Sequence, residues 1–218
     1  MRFKTIVFDC DGVILESMSI KDRIFSDLLS EHGPEAVEKF LDYHHRYVGI
    51  SRFVKFDWFY REILDRPLGE EKKQELNHEF QRLGLAKLLE SEFVPGALEV
   101  ITAFHERLPL FVASGTPEEE LRTIFDHRNL TRYFKGVFGS PAGKTEILSG
   151  LLRELNLTPT EMLMVGDGRT DMEAAEAVGA LFYGRGQIFS QSRWPWGPDL
   201  TGLATYVLGE DAYNVSRK

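Results

Sequence analysis

Two aspartates one residue apart, Asp9 and Asp11, close the apolar run Ile6-Val7-Phe8 and are followed by Gly12. A strand ending there would present one carboxylate, and the backbone beside the other, to a common site. Carboxylates at a strand's carboxyl edge pack poorly but suit chemistry. One can attack phosphorus and hold a hard cation, and the other can move a proton. An Asx-rich turn would use the same residue types, so the segment alone leaves both readings open. Three further groups have the same character. Ser114-Gly115-Thr116 follows the apolar run Leu110–Ala113 at an expected helix start, where free N–H groups and the dipole favour an anion. Lys144 follows the loop Ser140-Pro141-Ala142-Gly143, and Asp167 and Asp171 flank Gly168-Arg169-Thr170. Singly, these could be a cap, a solvated lysine and turn or first-turn charges. Their recurrence at the ends of apolar runs is what those uses leave unexplained.

The elements that must position them alternate. Met162–Val165 and Ala180–Tyr183 are expected strands, as is Val137–Gly139, and Thr205–Leu208 would be a last one. Between them, Leu121, Ile124 and Phe125 give one apolar helix face, and Ile147, Leu148, Leu151, Leu152 and Leu155 another. Thr116-Pro117-Glu118-Glu119 reads as a helix start with Thr116 as N-cap. Strands alternating with helices indicate a parallel sheet covered on both faces, with ligands at the carboxyl ends of its strands. Residues 14–90 are different: they read as helical almost throughout. Ile20, Ile24, Phe25, Leu28 and Leu29 form one stripe, Phe56, Phe59, Tyr60, Ile63 and Leu64 a second, and Leu76, Phe80 and Leu83 a third. The expected organisation is an α/β core, Rossmann-like, from residues 1–13 and 91–218, with an all-helical cap domain, 14–90, inserted between.

Composition narrows the partners. The chain has 218 residues, 43% of them hydrophobic, and a net charge of −8, which argues against nucleic acid as the main ligand. Its one cysteine excludes an intrachain disulfide framework, and Cys10 reads as a small buried filler. No apolar run approaches the roughly 18 residues of a membrane span, and the charged start Met1-Arg2-Phe3-Lys4 is unlike a secretory signal. A cytoplasmic protein, monomer or homodimer, is the expectation.

In order and spacing the motifs resemble those of the haloacid dehalogenase superfamily. Asp9-Cys10-Asp11-Gly12-Val13 is similar to its first motif and Val112-Ala113-Ser114-Gly115-Thr116 to its second. Lys144 is similar to its third, and Gly166-Asp167-Gly168-Arg169-Thr170-Asp171 to its fourth. The resemblance implies a nucleophile at Asp9 and an acid and base at Asp11. It implies Mg²⁺ held by Asp9, Asp167 and the Asp11 carbonyl, with Asp171 orienting a metal water or Lys144. Ser114, Gly115 and Lys144 would bind phosphoryl oxygens. The helical block is similar to the caps of phosphoglycolate phosphatases and β-phosphoglucomutase. In the latter, Gly49-Ile50-Ser51-Arg52 would place Arg52 over a second anionic group of the substrate. Dehalogenation needs neither Asp11 nor the Asp167 pair and is rejected. The cap lysines Lys21, Lys39, Lys55, Lys72, Lys73 and Lys87 do not match the Schiff-base lysine of the family's phosphonate hydrolases. The expected activity is phosphomonoester hydrolysis of a small phosphorylated metabolite, a sugar phosphate or phosphoglycolate-like ester. A phosphosugar mutase, towards which Arg52 and Val13 lean, and a non-catalytic binding module are the alternatives.

Three cap and surface features complete the expectations. Ser51 reads as the N-cap of an aromatic-rich helix, whose Phe53, Phe56, Trp58, Phe59 and Tyr60 read as cap core. His44 and His45, adjacent on a helix, should point apart. Trp194-Pro195-Trp196-Gly197-Pro198 reads as a rigid surface loop.

Overall fold

The computed structural model describes residues 2–209. A six-stranded, all-parallel sheet forms its centre: β1 (Thr5–Phe8), β2 (Leu110–Pro117), β3 (Gly136–Ser140), β4 (Met162–Gly166), β5 (Leu181–Arg185) and β6 (Trp196–Gly197). Its order is β3-β2-β1-β4-β5-β6. From β1 the chain winds outwards through β2 and β3 on one side, then crosses back to β4 on the other side of β1, and this reversal opens a crevice at the carboxyl ends of the central strands. Alternate residues serve opposite faces. Ile6, Phe8, Leu110, Val112, Leu163 and Val165 are buried in one apolar cluster. Val7, Phe111, Ala113, Met162 and Met164 are buried in the other. Strands sealed on both faces explain the unbroken apolar runs in the sequence. Each fully buried side chain of this size contributes about 1.5–3 kcal/mol relative to exposure.

The helical cap comprises α1 (Met18–Leu29), α2 (Pro34–Arg46), α3 (Arg52–Trp58), which continues as a π-helical segment Phe59–Ile63, and α4 (Glu70–Leu89). These helices close on a third cluster of their own, with Phe25, Phe40, Phe56, Phe59 and Phe80 almost wholly buried. Phe56, Phe59 and Tyr60 are cap core as expected, and Ser51 accepts a hydrogen bond from the Phe53 amide as the N-cap of α3. The cap is not insulated from the sheet: Ile14, Leu15 and Leu88 are buried in the core's cluster.

The remaining helices, α5 (Ala97–Phe104), α6 (Glu118–His127), α7 (Lys144–Glu154), α8 (Arg169–Val178) and α9 (Leu203–Leu208), pack around the sheet. Three expectations are corrected. Thr205–Leu208 is helical: Gly202 and Gly209 bound a single short turn of apolar residues, and Leu203 and Val207, four apart, are both buried. Trp196-Gly197 is an edge strand paired with Gly184 and Arg185 rather than a loop, and Trp194 and Trp196 pack on the sheet's second cluster. Thr116 is no N-cap. β2 runs on irregularly to Pro117, through a register shift after Ala113, and α6 starts at Glu118.

Candidate active site

Asp9 follows β1 at the centre of the sheet. Its neighbour Phe8 is in register with Val112 of β2 and Val165 of β4, so Ser114 within β2 and Asp167 just after β4 stand at matching heights. The Asp9 side chain is 1% exposed, and its Oδ1 accepts a hydrogen bond of 2.7 Å from the Cys10 amide. Lys144, first residue of α7, brings its Nζ to 2.9 Å from Asp9 Oδ2. This is an ion pair without good hydrogen-bond alignment, because Oδ2 has no directional donor. The same ammonium donates to Asp171 Oδ1, and Asp171 Oδ2 accepts from the Gly168 amide at 3.0 Å. Asp167 Oδ1 is shielded from solvent and has no partner.

Oxygens of Asp9, Asp167 and Asp171 lie within 4.8 Å of one another, and one ammonium, that of Lys144, pairs with Asp9 and Asp171. This crowding has electrostatic consequences. Burial pushes Asp9 up, Lys144 pulls it back, and Asp171 and Asp11 push it up again, to about 7. Burial, and then the charges of Asp9 and Asp171, hold Asp167 well above the ordinary carboxylate range. Lys144 is the converse: burial disfavours its charge, but Asp171 and Asp9 more than restore it. The cluster is short of positive charge, and its unpartnered oxygens fit a hard divalent cation. Gly12 permits the close packing here. It has φ +71°, and a Cβ there would stand 2.1 Å from Asp167 Oδ2.

Asp11 is held separately. Its Oδ1 accepts from Ser17 Oγ at 2.6 Å, and its Oδ2 from Lys21 Nζ at 2.5 Å and Thr116 Oγ1 at 2.8 Å. Burial works against its charge, but Lys21 and these hydrogen bonds outweigh it and keep the carboxyl well below its usual range.

The cap reaches the sheet edge through Val48–Ile50. Val48 O accepts from Thr170 Oγ1, at the start of α8. A Cβ on Gly115 would lie 2.4 Å from Gly49 O, so only glycine lets the two backbones meet. On one side of this contact Ser114, Gly115, Lys144 and Thr170 line a cleft. On the other, a cavity is lined by Asp11, Lys21, Arg52, Lys55 and Gly115. Arg52 is 5% exposed; its Nη2 donates to Glu120 Oε1 at 2.5 Å, and its guanidinium lies over the Phe80 ring at 4.0 Å. Nη1 has no partner. His44 and His45 do not diverge as expected, for both bring Nε2 to Asp22 Oδ1, at 3.3 and 2.9 Å.

Residues 3–179 match the family model described as haloacid dehalogenase-like hydrolase. The chain belongs to the haloacid dehalogenase-like hydrolase family. A phosphoglycolate phosphatase of Aliivibrio fischeri is 26% identical over 208 residues, covering 87% of this chain and 89% of the relative. A phosphorylated carbohydrates phosphatase of Thermotoga maritima is 25% identical over 181 residues, covering 81% and 82%. Among solved structures, a β-phosphoglucomutase from Clostridium difficile superposes with a TM-score of 0.77 at 16% identity, covering 99% of this chain and 100% of that one.

In this member of the haloacid dehalogenase-like hydrolases, the expected site residues Asp9, Asp11, Ser114, Gly115, Lys144, Asp167 and Asp171 gather at one edge of the sheet. Arg52 is in the adjoining cavity, already engaged with Glu120. Sequence reasoning missed the partners of Asp11, namely Ser17, Lys21 and Thr116. The available signal was the placement of Ser17 and Lys21 at the start of α1, directly after the first motif. It also missed His44 and Lys55 in the cap cavity, and Glu120 as the partner of Arg52. No helix among the described residues is long and apolar enough to cross a membrane.

Proposed function

We propose that this chain is a Mg²⁺-dependent phosphomonoester hydrolase for a small phosphorylated metabolite, working through phosphorylated Asp9. The observation that carries the reading is the close group of Asp9, Asp167 and Asp171, with Lys144 paired to the first and last, at the switch point of the sheet. Asp9 Oδ2 is the free nucleophilic oxygen, since Oδ1 is fixed by the Cys10 amide. Asp9, Asp167 and the Asp11 carbonyl would hold the cation, and Asp171 would position Lys144. Mg²⁺ would supply the charge that lets a carboxylate approach a phosphate dianion. Ser114, the Gly115 amide and Lys144 would bind phosphoryl oxygens, and such positioning is most of what phosphoryl transfer requires.

Asp11 serves as acid towards the leaving oxygen and then as base towards water. In the resting site its carboxylate is paired with Lys21 and so is set as a base. A dianionic ester entering the cavity competes for Lys21, weakens that pair and favours the protonated form that the first step needs. The division into a core of residues 1–13 and 91–218 and a cap of 14–90 belongs to the same proposal. The cap would grip the organic part of the ester and shield the site from bulk water.

Phosphate release from a panel of sugar phosphates and short phosphate esters tests the proposal. A chelator should stop turnover, and Mg²⁺ should restore it while Ca²⁺ should not, because Ca²⁺ prefers more ligands at longer distances. Undiminished turnover under chelation would contradict the metal assignment. Isomer formed faster than phosphate from a sugar 1-phosphate would contradict hydrolysis.

A further inference from the structure

The cap cavity holds three cationic side chains, and two of them have acidic partners. Lys21 is paired with Asp11 and Arg52 with Glu120, each at 2.5 Å. The third, Lys55, is 3% exposed, and among the described residues no carboxylate pairs with it. Its one hydrogen-bond partner is His44, whose Nδ1 lies 2.6 Å from Lys55 Nζ. His44 is itself buried, and that burial holds its ring neutral, at about 4, so Nδ1 is free to accept. An ammonium can only donate, so Nδ1 is the accepting nitrogen, while Nε2 stands 3.3 Å from Asp22 Oδ1 without a hydrogen bond. The lysine is thus oriented by a buried, neutral histidine.

A lysine kept only for structure has no reason to be buried without an acid. An apolar side chain would fill the same space without the desolvation penalty. The penalty shows in the group itself. Burial first, and then repulsion from Lys21 and Lys144, push Lys55 down to about 7. Beside it, Arg52 Nη1 is buried and without a partner, and both residues line the cavity that reaches Asp11 and Gly115. Phe25 and Phe80 supply apolar wall. The cavity lacks one anion.

We infer that the substrate carries a carboxylate on its organic portion, and that Lys55, oriented by His44, is the residue that receives it. This rests on the phosphatase reading and specifies the class of ester. An ammonium has three hydrogens; one is directed at His44 Nδ1, which leaves two for two carboxylate oxygens, with Arg52 Nη1 as a further donor. One unneutralised lysine matches a monoanion. A second phosphate, a dianion, would leave excess negative charge next to Glu120 and Asp11. A neutral sugar would leave Lys55 as it stands, buried without a counter-ion.

The experiment compares matched esters on the wild-type enzyme with Mg²⁺: phosphoglycolate against ethyl phosphate, phosphoglycerate against glycerol phosphate, and a sugar bisphosphate. The carboxylated member of each pair should be preferred in kcat/KM by about 10- to 100-fold, the range expected for hydrogen bonds to a charged group. Lys55→Met should bring the pairs to within about threefold of each other, mainly through a higher KM for the carboxylated esters. Calorimetric titration of the Asp9→Asn protein with phosphoglycolate and ethyl phosphate reads the same preference without turnover. Should Lys55→Met fail to fold, the wild-type pairs and this titration decide alone. Preference in binding without any phosphate release would sink the phosphatase reading and keep the carboxylate subsite. Phosphate release with no preference for the carboxylated esters, or with the bisphosphate preferred, would overturn the carboxylate inference and leave the phosphatase standing. A preference that survives Lys55→Met would remove Lys55 from it.

Discussion

At the sheet edge, Asp9 and Asp171 share one ammonium beside an unpaired Asp167, and the Asp9 and Asp167 carboxyls are pushed upward. In the cap cavity, Lys55 has no acid partner, and an ammonium is pushed downward. Both clusters are buried, and each lacks the charge that the other has in excess. Yet among the described residues no ion pair joins Lys55 to Asp9, Asp167 or Asp171, and Asp11, which lines the cavity of Lys55, is taken up by Lys21. The difference shows how a fold can keep two unsatisfied sites close together. In the proposed function each would take a ligand of opposite sign, the metal ion at the sheet edge and the carboxylate of the phosphate ester in the cap. The same physics makes a buried charge with a counter-ion, as in the Arg52–Glu120 pair, mainly a structural element even though Arg52 Nη1 stays open, and a buried charge without one a functional group.

The comparison is broken most severely at Asp9. Asp9→Asn should lower phosphate release by more than about a thousandfold, because an amide cannot attack phosphorus. The same change removes one crowded carboxylate, so thermal unfolding should show no loss of stability. Residual activity above that level would remove Asp9 as the nucleophile.

Next in size is the satisfied pair. Arg52→Ala leaves Glu120 buried without its partner and should destabilise the protein by about 3–5 kcal/mol, as read from denaturant unfolding. A normal unfolding midpoint would show that the pair is not a structural element. Arg52 would then join Lys55 as a group free for substrate.

The smallest effect sharpens the electrostatic contrast. Asp9 is held at about 7 in the folded chain against an ordinary 3.8, so between those values the folded protein keeps a proton that the unfolded chain has lost. Metal-free stability from this site should therefore fall as pH rises through that window. In the proposed site Mg²⁺ would bind the ionised carboxylates, so it should stabilise more at pH 8 than at pH 5. A hundredfold excess over Kd is worth about 2.7 kcal/mol, or about 5–11 °C in Tm for a chain of this size. Equal stabilisation at both pH values would contradict the assignment of the metal to these carboxylates.

Much of this was legible in the sequence, and the reasons are physical. β1, β2 and β4 are sealed on both faces, so they read as apolar runs, and the residues that end them announced the site. The cap's aromatic stripes likewise marked its core. What stayed hidden comes from elements brought together by the fold alone. Thr116 reaches Asp11 across 105 positions, and Arg52 finds Glu120 across 68. His44 and Lys55 meet because α2 and α3 pack within the cap, which no local pattern shows. Errors fell where local signals were short. Thr205–Leu208 alternates like a strand but is only one helical turn, and the proline-flanked Trp196-Gly197 pairs over two residues at an unprotected edge. The continuation of β2 through Ser114-Gly115-Thr116 depends on a register shift that residue types do not reveal.

The most direct measurement is a rapid-quench reaction with a ³²P-labelled ester in the presence of Mg²⁺, followed by peptide mapping. The account expects label on the peptide that contains Asp9, formed within a single turnover, removed by hydroxylamine as an acyl phosphate is, and absent in Asp9→Asn. Phosphate released without label on the protein, or label that persists in Asp9→Asn, would contradict it.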